Sequence, residues 1–188
     1  MNRKPKQVMY RRKRSGSTHY RKRLLLLLSG KPRIVVRCTG QRILGQFITF
    51  TPRGDCVEAG VDSFSLRKFG WNSSCKNIPA AYLTGLWLGK KMAGREAILD
   101  VGFRTPLKGG RVFAFLQGAL EGGLRIPHQP DKFPSPERIQ GQHILVQQNS
   151  SRSSPQSLKS PSLSELPEQF AAVKEKLQAL PVEKGKKK

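Results

Sequence analysis

The chain has 188 residues, enough for one domain with tails, and only 37% of them are apolar. Its 35 Lys and Arg against 12 Asp and Glu give a formal charge of +23, which points to a nucleic acid or an anionic surface as partner. No stretch is long and apolar enough to span a bilayer, and three scattered cysteines without a C-x-x-C pair support neither a disulfide framework nor a zinc cluster.

The first 37 residues carry basic clusters and no Asp or Glu. Arg3, Lys4 and Lys6 lead into Arg11, Arg12, Lys13 and Arg14, then Arg21, Lys22 and Arg23, then Lys31, Arg33 and Arg37. Such an arm repels itself and is extended when alone. A polyanion would neutralise it and release counterions. Tyr10 and Tyr20, set among the cations, suit base stacking beside phosphate pairing. The alternative is a solvated tail or a localisation signal. Thr18 to Leu28 reads as a short helix capped by Ser17 or Thr18, with its basic half toward RNA and its leucines toward a core. Gly30 and Pro32 stop it. Leu24 to Leu28 is too short for the apolar region of a secretory signal.

Ile34 to Val36 reads as a strand, and Arg42 to Phe50 as a second one beyond a hairpin turn at Gly40. After the turn Pro52-Arg53-Gly54-Asp55, the residues Val57, Ala59 and Val61 alternate with Glu58 and Gly60, as on a half-buried third strand. Asp62 to Phe69 reads as a turn or two of helix ended by Gly70. Pro79 to Ala93 reads as the main helix, with Lys90 and Lys91 at its negative end and small residues that allow close approach to a sheet. Glu96 to Val101 has the apolar run of a buried strand parallel to its neighbour. Arg111 to Glu121 is a second helix, halted by Gly122-Gly123.

The fold class is therefore α/β: a mixed sheet with helices packed on it, in the order strand, strand, strand, helix, strand, helix. The organisation is an arm with a short helix over residues 1–32, a core over 33–128, an extended basic segment over 129–146 with a helical turn at Pro136 to Gln140, and a C-terminal extension over 147–188. That extension comprises a Ser-, Gln- and Pro-rich linker, an amphipathic helix from Glu165 to Leu180 that Ser164 could cap, and a Lys-rich tip. The helix either docks on a protein partner or is marginal by itself.

A hairpin followed by helix and strand is shared with ribonuclease-H-like nucleases, but those need several carboxylates converging on metal ions. Here Asp100 stands without a second or third partner and reads instead as a loop or helix-cap acceptor. Nucleophile-elbow and Walker motifs are absent. No enzyme, cofactor or metal is expected. Lys108-Gly109-Gly110-Arg111 before a helix either cradles a phosphate with backbone N–H groups or is a plain helix entrance. Trp71 either stacks on a base or packs on the main helix. Arg37, Arg42 and Gln46 are candidates for an RNA-facing sheet surface, with Arg138 and His143 as a late contact or a solvated loop.

Several segments together resemble the family of the universal large-subunit ribosomal protein eighteen, in its archaeal and eukaryotic form. They are Tyr10-Arg11-Arg12, Tyr20-Arg21, Ser29 to Arg37, Gly70-Trp71, Pro79 to Leu86, Ala97 to Gly102, Gly110 to Ala114, Ile126-Pro127-His128 and Gly141 to Ile144. The resemblance runs from about Tyr10 to Ile144. It implies a structural protein of the large subunit in the cytoplasmic ribosome, binding 5S rRNA and attaching it to the large-subunit rRNA in the central protuberance, beside a neighbouring 5S-binding protein. It implies RNA contacts at Tyr10, Arg11, Arg12, Tyr20, Arg21, Lys31, Arg33 and Arg37, and at Trp71 and Arg111. The sequence departs from the family at Thr39-Gly40-Gln41-Arg42. It also has Ile78 before Pro79, so Asn77 or the backbone must cap the main helix. No family counterpart is recognised from Leu145 onward.

Overall fold

The computed structural model describes residues 8–145 and 165–181. Four strands form one sheet in the order β3-β2-β1-β4. They are β1 (Arg33–Cys38), β2 (Ile43–Thr51), β3 (Gly54–Asp62) and β4 (Ile98–Asp100). β1 is antiparallel to β2 and parallel to β4, so the sheet is mixed. Two short arm helices, α1 (Arg11–Arg14) and α2 (Tyr20–Leu28), precede it. The helices α3 (Ile78–Lys91) and α4 (Arg111–Glu121) form the layer on one face. Two further helices are α5 (Pro136–Gln140) and α6 (Leu166–Gln178), and residues 142–145 between them are also helical. No helix among the described residues is long and apolar enough to cross a membrane.

Alternation along β1 separates the two faces of the sheet. Ile34 and Val36 join the core beneath α3 and α4, and Arg33, Val35 and Arg37 face the other way. The alternation expected along β3 breaks. Phe47 pairs with Ala59 but Ile48 pairs with Val57, so Glu58 is the extra residue of a bulge. Ala59 and Val61 pack on the helix side, whereas Val57 is carried to the outer face and is 50% exposed. Glu58 is held at the bulge by Arg95 at 3.1 Å and by Thr49.

The segment from Asp62 to Gly70 folds as expected, as a 3-10 helix over Ser63–Phe69. Asp62 caps it through Phe64 N–H at 3.0 Å, and Gly70, at φ 98°, ends it. Asn77 caps α3, its Oδ1 accepting from Ala80 N–H at 2.9 Å, which supplies what Ile78 cannot. The small residues of α3 serve a different neighbour from the one expected. A β-carbon on Gly85 would collide with the Phe115 carbonyl, and one on Gly118 with the Tyr82 carbonyl. The close approach is thus between α3 and α4, backbone to backbone, rather than between helix and sheet.

Three expectations about helices fail. The leucines of α2 do not enter the core: the helix buries no residue, and Leu24, Leu25 and Leu28 are 58%, 62% and 73% exposed. Successive residues turn by about 100°, so five leucines in a row encircle the helix and cannot make a one-sided stripe. Only Leu26 and Leu27 are half-buried. The cap of α2 is His19, whose Nδ1 accepts from Lys22 N–H, not Ser17 or Thr18. Conversely, α6 needs no external partner for its apolar face. Leu166, Phe170, Val173 and Leu177 are buried in the chain's own core, and Phe170 lies 5.5 Å from the Tyr82 ring. The expected linker from Gln147 to Ser162, the Ser164 cap, the Lys-rich tip and the first basic residues of the arm lie outside the described residues.

At the α6 seam, Lys174 meets Glu121 at 2.7 Å, and the Tyr82 hydroxyl donates to the same carboxylate. Burial, reinforced by the hydrogen bond to Glu121, pushes the Tyr82 phenol up to about 12. Burial also pushes Glu121 up, but hydrogen bonds from Lys174 and Tyr82 outweigh it and hold the carboxyl below its ordinary value.

Candidate nucleic-acid interface

The outer face of the sheet, away from α3 and α4, meets the arm. Arg33 projects from β1 onto this face yet is only 1% exposed and is paired with two carboxylates. Its Nη1 donates to Asp100 at 3.1 Å and its Nη2 to Asp55 at 2.8 Å. Asp55, at the start of β3, also accepts from Arg23 of α2 at 2.8 Å. Asp100, at the end of β4, also takes Gly102 N–H at 2.8 Å and faces Arg37 at 3.5 Å. Arg37 is fixed further by the Asp100 carbonyl at 2.9 Å. Gly102, at φ +68°, leaves room for that guanidinium, which would press on a β-carbon at 3.0 Å. Partial burial pushes the Asp55 carboxyl up, but the hydrogen bonds and charges of Arg23 and Arg33 prevail and hold it below its ordinary value.

This chain of ion pairs brings together three residues predicted to contact RNA, namely Arg23, Arg33 and Arg37. It assigns them unequal tasks. Arg33 has no free surface with which to meet a phosphate, so the expectation of a direct contact there gives way to an internal strut. Arg37 keeps 43% of its side chain exposed and Arg23 keeps 37%. Asp100 is the loop acceptor expected of it, with its oxygens occupied by two arginines and a backbone N–H.

The rest of the arm is open to solvent. Tyr10, Arg11, Arg12, Lys13, Arg14, Arg21 and Lys22 are all exposed. Tyr10 and Tyr20 lie with ring centroids 5.5 Å apart, and Arg12 Nε donates to Thr18 Oγ1 at 2.9 Å. His19 touches the ring of Phe103, in the loop after β4, at 5.5 Å. Lys31 is exposed and meets Glu96 at 3.2 Å. Arg42 pairs with Asp62 at 2.8 Å, and Gln46 is exposed on the outer face.

Other predicted contacts stand apart from this surface or lose their ligand groups. Trp71 is fully buried and donates its indole N–H to the Ser74 carbonyl, so it packs and has no ring face for a base. Gly109 N–H is bonded to the Lys132 carbonyl and Gly110 N–H to the Leu107 carbonyl. Those two amides are therefore not a phosphate cradle, although Lys108 is exposed. Arg111 is half-buried and donates to the Lys76 carbonyl at 3.2 Å. Arg138 is exposed. His143 is half-buried, and burial, aided by the Arg138 charge, holds its ring below the ordinary histidine value.

Sequence reading missed Asp55, taken there only as part of a turn. The available signal was its position: it is the first acid in a chain whose preceding 54 residues carry none. It also missed Phe103 and Arg104, whose Nη1 donates to the Cys38 carbonyl at 2.9 Å. Among the described residues, no group of His, Cys, Asp and Glu is placed to hold a metal ion.

The chain is similar in sequence to known proteins. The family model described as ribosomal large subunit proteins 60S L5 and 50S L18 matches residues 4–96. The large ribosomal subunit protein uL18 of Korarchaeum cryptofilum is 49% identical over 140 residues, covering 73% of this chain and 72% of that protein. The large ribosomal subunit protein uL18 of Caldivirga maquilingensis is 44% identical over 141 residues, covering 73% and 68%. The chain belongs to the uL18 family of large ribosomal subunit proteins, of the archaeal and eukaryotic type.

Proposed function

We propose that the chain binds 5S rRNA and attaches it to the large-subunit rRNA in the central protuberance, beside a neighbouring 5S-binding protein. The work is mechanical: the rigid α/β core holds cationic donors in place, and no bond is made or broken. The observation that carries this reading is the arm. Its exposed cations on α1 and α2 flank two neighbouring tyrosines and lie against a sheet face bearing Arg37 and Gln46. A flexible polycation would bind any polyanion. Donors fixed on helix and strand can also select RNA shape.

The test is binding of 5S rRNA by the full chain and by a variant lacking Met1 to Arg23, over a salt series. The full chain should show a log–log slope of about 0.7–0.9 per phosphate neutralised. The truncated chain should keep its folded core and lose most of the affinity. Unchanged binding after truncation, or affinity independent of salt, would refute the reading. Recruitment of a protein through the apolar face of α6 is not favoured, since that face is already buried in this chain.

A further inference from the structure

The arm and the outer sheet face enclose a cleft of about 140 Å³, lined by Arg12, His19, Lys22 and Arg23 from the arm and by Arg37 and Asp100 from the sheet. Four cations line it against one carboxylate, and that carboxylate is occupied by Arg33, Arg37 and Gly102 N–H. The arm supplies most of the cleft's lining, and Arg37, Asp100 and Gly102 close it. The cleft exists because α2 rests on the sheet. Yet α2 buries no side chain, and its ion pair to the sheet is the one from Arg23 to Asp55. Asp55 is in turn steadied from beneath by Arg33, which is anchored on Asp100.

We propose that Asp55 is a specificity-determining positioning residue, clipping α2 to the sheet so that Arg12, Lys22 and Arg37 converge on a cleft that takes one RNA phosphodiester. Docked, the arm presents a fixed spacing of cations that suits a folded backbone. Undocked, the same cations form a loose chain that suits any polyanion. A carboxylate next to an RNA-binding surface thus favours the correct RNA, although its charge opposes RNA in general.

This inference rests on the RNA-binding reading above, and its test separates the two. The full-length wild type, Asp55→Asn and Asp55→Glu are compared for binding to 5S rRNA and to poly(U), an unstructured polyanion. Without RNA present, the rate of trypsin cleavage after Arg21, Lys22 and Arg23 reports whether the arm is docked. The Arg23–Asp55 pair, between side chains 37% and 26% exposed, predicts a loss of up to about fivefold in 5S affinity for Asp55→Asn, through the reduced docked fraction, while the substituted amide keeps an oxygen that can accept from Arg33. Poly(U) binding should stay unchanged or tighten, since a negative charge has been removed. Cleavage of the arm should speed up, and Asp55→Glu should restore both protection and preference.

Equal weakening toward both ligands would mean general destabilisation and overturn the proposal. An unchanged preference in Asp55→Asn would overturn it as well. A wild type that shows no preference for 5S rRNA would remove the RNA reading and this inference together, and the protease rates would still report whether Asp55 holds the arm.

Discussion

Arg33 offers a sharp test, because two readings of one residue predict opposite results. As a phosphate ligand, Arg33→Met would leave the fold intact and remove a contact, lowering the salt slope by about 0.7–0.9. As the internal strut seen in the structure, the same change would strike stability. The Arg33 and Asp100 side chains are 2% and 9% exposed, so their pair is broken in a low-dielectric site. Removing one partner of such a pair costs about 3–5 kcal/mol, chiefly by stranding the other charge. For a chain of this size that corresponds to a fall of about 6–20 °C in thermal midpoint.

Asp100 would retain Gly102 N–H and the longer contact to Arg37, which places the loss toward the lower end. Differential scanning calorimetry measures the midpoint, and 5S rRNA titrations over a salt series at low temperature measure the slope. The double variant Arg33→Met with Asp100→Asn should lose less than the sum of the singles, because the stranded charge is then gone. A normal midpoint with a reduced slope would refute the strut and restore Arg33 to the RNA-contacting set.

Phe170→Ala should cost about 3–5 kcal/mol of α6 docking, since a buried ring against Tyr82 is lost. Faster tryptic cleavage after Lys174 and Lys176 would register it, and unaltered cleavage and midpoint would show that α6 is not held by this stripe. The seam beneath α6 should weaken at both pH extremes. Tyr82, raised to about 12, favours the folded state below the ordinary tyrosine pKa, and that contribution is lost as pH rises toward 12. Glu121, held low, favours it above the ordinary carboxyl value, and that contribution is lost as pH falls through its folded value. The 295 nm titration component that disappears in Tyr82→Phe should have its midpoint near 12; a midpoint near the ordinary value of 10 would contradict the buried bond to Glu121.

Local chemistry and charge could be read before folding. The run of cations without an acid needs no fold to repel itself and attract a polyanion. The 3-10 segment after Asp62 and its end at Gly70 follow from a capping carboxylate and a residue free to adopt positive φ. The β-branched run from Ile34 to Val36, the apolar stretch around Leu99 and the helix bounds Arg111 to Glu121 likewise follow from neighbours in sequence. So did the apolar stripe of α6, whose 3.6-residue period is visible in any frame, although its partner is not.

Only the tertiary structure decided what each charge does. Arg33, Arg37 and Arg23 are indistinguishable as letters in a basic arm, yet one is sealed between two carboxylates, one is half free and one clips a helix to a sheet. Those roles depend on Asp55 and Asp100, which stand 22 and 67 residues beyond Arg33 and meet it only when β3 and β4 take their places in the sheet. Sequence spacing carries no information about such meetings, because the distance between two charges in space, and the water excluded around them, is set by strand order and by the layer that covers them.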